Sequence, residues 1–321
     1  MNIGIICGGF TSEFEISLKS GGTIARHLPA PYIAHKIVLK KDSCNVIVEN
    51  NEVPFDLKTG AFTWNGTEVK MDAFIIYTHG DPGENGKIQA MFDVFGHKYV
   101  NSSALASELS FDKWFCNQFL KGFGVKVAES KLLLKNDTYD CDQIVEQLGL
   151  PLFVKPCDSG SSFGISRVNQ STDLSKAIDV AFAEGDSVVI ESFLDGTEVT
   201  CGVYRTKEGV FALPLAEIVS ETEFFDYEAK YLGKSQEIVP ARISDTQTLA
   251  VQEVAKKVYQ IIRLNSVARI DFMIVNSEPH VIEVNTTPGF TDESIVPKML
   301  KAQQIEIADF WNEILAFNLN Q

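Results

Sequence analysis

Between Ala268 and Asp292 the chain reads ARIDFMIVNSEPHVIEVNTTPGFTD, which sets four carboxylates, one Arg and two Asn among largely apolar residues. Successive residues of a strand face opposite ways, so Arg269, Asp271, Met273 and Val275 share one face of a first strand, and Glu283 and Asn285 share one face of a second. Asn276, Ser277, Glu278 and Pro279 between them carry turn chemistry, which makes the pair a hairpin. With Val275 opposite Pro279 across a three-residue loop, Asp271 falls opposite Glu283 on the same face; a slip of one residue would part them. Opposed carboxylates repel unless a cation lies between them. The Asn285 amide adds a third oxygen, and hard oxygen donors without thiolate or imidazole suit Mg²⁺ rather than zinc. The plainer alternative, a surface hairpin with ordinary charges, is disfavoured because buried unpaired charge is costly.

A chain of 321 residues exceeds one ordinary core, so two or three domains are expected. With 45% apolar and 22% charged residues it falls among soluble globular proteins. The net charge of -15 argues against nucleic acid as a partner, and any anionic substrate must be met by local basic groups. The opening MNIGIICGGF is a buried strand entering a turn, without the regions of a secretory signal. No apolar run approaches the ~18 residues of a membrane span, so no membrane partner is expected. Cys7, Cys44, Cys116, Cys141, Cys157 and Cys201 stand without CxxC spacing, as reduced thiols of a cytoplasmic protein would.

In chain order, a strand over Asn2 to Cys7, a Gly8-Gly9 turn and a helix from near Glu15 open a doubly wound α/β sheet. The turn lacks GxGxxG, which excludes a dinucleotide site. Glu13 lies in that turn, either as a first-turn acid favouring the helix dipole or as a ligand contact where such sheets bind ligands. Tyr32 to Lys40 is a second strand, and Phe62 to Val69 a small hairpin around Asn65-Gly66. Ala73 to Tyr77 is a buried strand leading into THGDPGENG, with His79 at its mouth as a core histidine or a ligand contact. An amphipathic helix follows, with Ile88, Met91, Phe92 and Phe95 on one face. A short strand over Lys98 to Val100 closes the first domain near Asn101. Two helical segments come next, and Lys113 near the start of the second is a solvated lysine or an anion contact.

A second distinctive stretch, LFVKPCDSGSSFGISRV, carries Lys155 near a strand end and then a run of Gly and Ser whose free N–H groups can curl over phosphates. It is not a Walker A motif, because the Lys precedes the loop. In ESFLDGTEVTCGVY, apolar Phe193 and Leu194 lie between Glu191 and Glu198 at a domain hinge, a place suited to an adenine. The loop from Glu221 to Glu237 is too long for a simple connection and reads as a lid. A long helix over Ser244 to Leu264 delivers the chain to the hairpin, and helices over Ser294 to Ala302 and Ile305 to Leu315 end it.

Taken in this order, GGFTSEFEISLKSG, HGDPGENG, FDK, FVKPCDSGSSFGIS, FFDYEAKY and ARIDF through EVNTTPGFTDES resemble the ATP-grasp superfamily and, within it, the D-alanine:D-alanine ligase family. The resemblance covers nearly the whole chain. It implies a three-domain α/β architecture: a Rossmann-like substrate domain over 1–101, a central ATP-grasp subdomain over 102–193 and a C-terminal one over 194–321. It implies ATP as cofactor with two Mg²⁺ ions, for which Mn²⁺ can substitute. The implied reaction activates one D-alanine as an acyl phosphate, which the amine of a second attacks, to supply a cell-wall precursor. A homodimer is implied as well.

Carried onto this sequence, the resemblance puts Lys113, Lys155 and Ser162 on the nucleotide phosphates, Glu191, Phe193 and Leu194 around the adenine, and Glu198 on the ribose. Asp271, Glu283 and Asn285 match the metal ligands, in agreement with the hairpin argument. Glu13 matches the holder of the first amino group, with His79 beside it, and Tyr231 and Ser161 complete a hydrogen-bonded set with Glu13. Lys230 matches the lysine on the transferring phosphate, and Arg269 with the Gly289 N–H matches the oxyanion site. Ser294 and the Ile295 backbone match the receiver of the second carboxylate. Tyr231 separates the chain from D-alanine:D-lactate ligases of this fold, and the intact metal set separates it from a non-catalytic ATP-binding module. Phe14 stands where the family often has Arg, and Asn85 where Asp is usual; CDSGSS also departs ahead of its Gly.

Overall fold

The computed structural model describes residues 1–158, 160, 163–220 and 235–319. Strand β1 (Asn2–Gly8) is flanked by two parallel strands, β2 (Ile33–Leu39) and β7 (Ala73–Ile76). Ile3, Ile5 and Ile6 are fully buried, which is why β1 reads as a continuous apolar run. β2 continues into the antiparallel β3 (Cys44–Val48) and β4 (Asn51–Pro54), turned at Glu49 and Asn50 in the left-handed region. Beyond β1, Gly8 has φ +95° and a Cβ there would lie 2.5 Å from the Leu39 carbonyl oxygen, so only glycine fits before α1 (Phe14–His27). The expected hairpin at Asn65-Gly66 is present as β5 (Ala61–Trp64) and β6 (Thr67–Lys70). Helix α2 (Lys87–Phe95) packs Ile88 and Phe92 into the core beside Phe74.

A second, antiparallel sheet runs β10 (Ser166–Val168), β9 (Leu152–Pro156), β11 (Ser187–Ser192), β8 (Ser130–Leu134). Helices α5 (Cys141–Leu148) and α6 (Leu174–Phe182) cover it through Ile144, Leu174 and Ile178.

The third sheet runs β15 (Ser235–Ile238), β14 (Ala216–Ser220), β12 (Thr197–Thr206), β16 (Val267–Val275), β17 (Glu278–Asn285), with β13 (Gly209–Ala212) beside β12. Helix α7 (Asp245–Ile262) starts at a Ser244/Gln247 capping box and buries Val251, Ala255 and Val258 with Cys201 and Phe272. Helices α3 (Ala104–Phe111) and α4 (Lys113–Gly122) add Ala106, Cys116 and Leu120 to the same core. Helix α8 (Ile295–Ala302) is followed by α9 (Ile307–Leu319), whose Phe310 and Trp311 join Ile3, Ile5 and Tyr77 of the first sheet to Val267 and Phe290 of the third. One continuous core therefore fixes the first sheet against the third.

The β16–β17 hairpin differs in detail from its sequence reading. Val275 faces Glu278 rather than Pro279, so the turn is two residues, Asn276 and Ser277, both at positive φ. That register alone would set Asp271 against Ile282. A bulge between Phe272 and Asp271 absorbs Ile282 and returns Asp271 to its place opposite Glu283.

Candidate active site

The hairpin supplies the charged centre. Arg269 holds Asp271 side-on, Nε to Oδ1 at 2.9 Å and Nη2 to Oδ2 at 3.0 Å. Thr200, opposite Asp271 on β12, donates to Oδ1 at 2.5 Å, and the Asn285 Nδ2 donates to Oδ2 at 3.1 Å. Burial alone would weaken the Arg269 charge, but Asp271, followed by Glu283 and Glu237, outweighs it and raises the guanidinium above its ordinary range.

Around this centre lies a cavity of about 390 Å³. The first sheet contributes Glu13 and His79 from the mouths of the parallel neighbours β1 and β7. Lys113 comes from α4, Gly160 from the serine-rich loop, and Arg269, Glu283, Asn285, Gly289, Ser294 and Ile295 from the third sheet and the turn after it. Glu13 stands at the start of α1 but makes no side-chain cap hydrogen bond there. His79 is buried with Nε2 3.3 Å from Ser20 Oγ, and that burial holds the imidazole below its ordinary range against the pull of Glu13. Ser294 sits before the first turn of α8, where backbone N–H groups and the helix dipole favour an anion. It accepts the Thr291 N–H at 2.9 Å.

The second sheet holds a separate buried pair. Lys155 Nζ donates to Glu191 Oε2 at 2.7 Å, and Asn117 Nδ2 donates to Oε1 at 2.7 Å. Burial opposes the Lys155 charge, but Glu191 outweighs it and the ammonium is raised above its usual range. Phe193 faces Phe153 at 6.1 Å, and the Arg167 guanidinium lies 4.8 Å over the Phe193 ring. Lys155 lies on β9, Glu191 on β11 and Glu198 at the start of β12, with Phe193 and Leu194 in the connection between β11 and β12; none of the five lines the 390 Å³ cavity. Ser161, Ser162, Lys230 and Tyr231 lie outside the described residues, as does 221–234 of the lid expected over Glu221 to Glu237; its last three residues, 235–237, belong to strand β15 instead.

Lys19, Glu84 and Glu237 line the cavity without having been singled out in the sequence. Glu84 accepts the Gly80 N–H at 2.7 Å, and burial, reinforced by the charge of Glu13, pushes its carboxyl up to about 8. Inside the glycine-rich HGDPGENG it reads as ordinary loop polarity; only its place one residue after Gly83, which packs on Thr78, marks it. The Asn85 departure has a local reason. Its Nδ2 donates to Asp81 Oδ1 at 2.6 Å, where an Asp would face a second carboxylate.

Among the described residues no three His, Cys, Asp or Glu stand together as a metal site. Two carboxylates and an amide lie together on the hairpin. Asp271 and Glu283 are directly opposed, and Asn285 directs its Nδ2 to Asp271 and the Arg269 carbonyl, leaving its oxygen as an acceptor. This all-oxygen set fits Mg²⁺.

A mixed first sheet with three parallel strands, joined to two antiparallel sheets, gives the chain the ATP-grasp fold. Solved structures match across the whole chain. The VanG D-Ala:D-Ser ligase of Enterococcus faecalis has a TM-score of 0.89 at 27% identity, covering 99% of each chain. The D-alanine–D-alanine ligase of Bacillus anthracis complexed with ATP has a TM-score of 0.79 at 26% identity, covering 100% of this chain and 98% of that one. The D-alanine–D-alanine ligase of Flavobacterium johnsoniae is 42% identical over 320 residues, 99% of both chains. Family models for the D-ala D-ala ligase N-terminus and C-terminus match residues 2–102 and 119–316, and the chain belongs to the D-alanine:D-alanine ligase family.

Proposed function

We propose that this protein joins two D-alanine molecules into D-alanyl-D-alanine, a peptidoglycan precursor, with cleavage of ATP to ADP and phosphate. The observation that carries the reading is the convergence of Glu13, His79, Arg269, Gly289 and Ser294 on one cavity, from both ends of a chain whose relatives bear this name. A carboxylate oxygen of the first D-alanine attacks the γ-phosphorus, ADP leaves, and the amine of the second D-alanine attacks the resulting acyl phosphate. The amine loses a proton and phosphate departs with the carboxylate oxygen. Glu13 holds the first ammonium, with His79 beside it. Arg269 and the Gly289 N–H receive the charge that develops on the carbonyl oxygen, an arrangement worth ~10²–10³ in rate. Ser294 and the Ile295 N–H receive the second carboxylate.

Lys113, Lys155 and Lys230 serve the nucleotide phosphates with Ser162; Glu191, Phe193 and Leu194 the adenine, and Glu198 the ribose. By family resemblance Tyr231 and Ser161 serve with Glu13 in one hydrogen-bonded set. Asp271, Glu283 and Asn285 would hold two Mg²⁺ ions, which when bound neutralise phosphate charge that otherwise repels the attacking carboxylate. The three-sheet architecture supports a division into 1–101, 102–193 and 194–321, with α3 and α4 as the piece linking the second and third units. None of the helices among the described residues is long and apolar enough to cross a membrane. By family resemblance the enzyme is cytoplasmic and acts as a homodimer.

The test is mass-spectrometric detection of D-alanyl-D-alanine from purified protein, ATP, Mg²⁺ and D-alanine, with D-serine and D-lactate offered in competition. A mixed product formed in preference to D-alanyl-D-alanine would reject D-alanine as the second substrate.

A further inference from the structure

The turn after β17 crosses the mouth of β7, and the two peptide groups flanking Gly289 are held by a residue at the end of β7 and by one of helix α1. Tyr77, directly after β7, donates its hydroxyl to the Pro288 carbonyl at 2.9 Å. On the other side of Gly289, the Phe290 N–H donates to Ser20 Oγ of α1 at 3.2 Å. Tyr77 is 1% exposed, with its ring edge-on to His79, Phe290 and Trp311 at 5.9, 6.1 and 6.1 Å. Burial holds the phenol well above its ordinary range, so it stays a donor at any working pH.

The Pro288–Gly289 peptide is not among the cis bonds of the chain. In a planar trans peptide the N–H points opposite to the C=O, so a carbonyl fixed on Tyr77 turns the Gly289 N–H to the side away from that hydroxyl. Gly289 lines the cavity, and among the described residues nothing accepts its N–H. A hydrogen bond to the carbonyl also polarises the N–H of the same peptide, making it a stronger donor.

We infer that Tyr77 is a positioning residue for the ligation: by holding the Pro288 carbonyl it aims and strengthens the Gly289 N–H that faces the reacting carbonyl oxygen. The first sheet thus does more than bind the first substrate; it orients half of an oxyanion site carried by the third. Ser20 fixes the following peptide in the same way. The inference rests on the oxyanion role proposed above for Arg269 and Gly289.

Tyr77→Phe removes only the hydroxyl and keeps the ring contacts. Tyr259→Phe is the control, since Tyr259 is equally buried and donates to the Ser266 carbonyl at 2.7 Å, outside the lining of the cavity. Partial loss of one preorganised donor predicts a roughly tenfold fall in kcat for Tyr77→Phe, KM for ATP unchanged, and kcat within about twofold of wild type for Tyr259→Phe. In ¹⁵N-glycine-labelled protein the Gly289 amide resonance should move in Tyr77→Phe and stay in Tyr259→Phe. An unchanged kcat in Tyr77→Phe, an unmoved Gly289 resonance, or an equal loss in Tyr259→Phe overturns the inference. Arg269→Lys, assayed alongside, separates the two levels. If it too keeps full kcat, the oxyanion reading itself fails; if it loses kcat while Tyr77→Phe does not, only the positioning role fails.

Discussion

Arg269 and Asp271, two residues apart on one strand, grip each other through two hydrogen bonds of 2.9 and 3.0 Å, and Asp271 is at the same time the carboxylate opposite Glu283. The guanidinium is therefore planted against the Asp271–Glu283 carboxylate pair by the alternation of β16. If Arg269 only balanced acid charge, Lys would replace it with little loss. A planar fork that holds both Asp271 and an oxyanion cannot be copied by an ammonium, so Arg269→Lys should lower kcat by ~10² or more. ATP affinity should change little, and loss of ATP affinity with kcat preserved would reassign the residue.

Asp271→Asn and Glu283→Gln should each abolish turnover while the protein remains folded. Asp271 is held by Thr200, Arg269 and Asn285, and an Asn side chain keeps most of that shape without the charge that a divalent cation needs. Circular dichroism and Mg²⁺ titration check this, the expected outcome being a native spectrum with Mg²⁺ affinity lost. Wild-type turnover in excess chelator would contradict the metal site.

The Lys155–Glu191 pair is a stability element whatever its part in nucleotide binding. The two side chains are 12% and 6% exposed, so removing one partner strands the other in a poorly solvated place. Glu191→Ala should cost about 3–5 kcal/mol in denaturant unfolding, because Lys155 and Asn117 both lose their acceptor. Lys155→Met keeps the stem's packing but leaves Glu191 with Asn117 alone, so a similar cost is expected, and a Glu191→Ala protein as stable as wild type would show that water reaches the pair.

Glu84 gives the fold a pH dependence. Its carboxyl titrates near 8 in the folded protein and near its ordinary 4.5 when unfolded. As pH rises from 4.5 the unfolded chain releases this proton while the folded protein keeps it, so stability falls across the window from about 4.5 to 8 and levels off above. Chemical denaturation at stepped pH should show that decline, and Glu84→Gln should flatten it. An unaltered slope in the variant would place the titration elsewhere.

The architecture was legible in the sequence where periodicity was strong. The β1 strand and its glycine turn, the Asn65-Gly66 hairpin, α7 and the β16–β17 pair all read correctly, and so did Asp271 opposite Glu283. The turn that produces that pairing did not, because a two-residue turn plus a bulge at Ile282 gives the same final register as a three-residue loop. The β3–β4 hairpin was missed because its turn, Glu49-Asn50, needs positive φ without a glycine to announce it. Glu84 and Tyr77 were missed for opposite reasons. One carboxylate in a glycine-rich loop looks solvated until the fold buries it, and a tyrosine ending an apolar strand looks like core until its hydroxyl is seen on Pro288.

The most direct test of the central claim follows an oxygen atom. D-Alanine carrying ¹⁸O in its carboxylate is incubated with the protein, ATP and Mg²⁺, and the released phosphate is analysed by mass spectrometry. Activation as an acyl phosphate transfers a carboxylate oxygen to phosphorus, so the expected result is phosphate bearing one ¹⁸O for each D-alanyl-D-alanine formed. Dipeptide accompanied by unlabelled phosphate would contradict it.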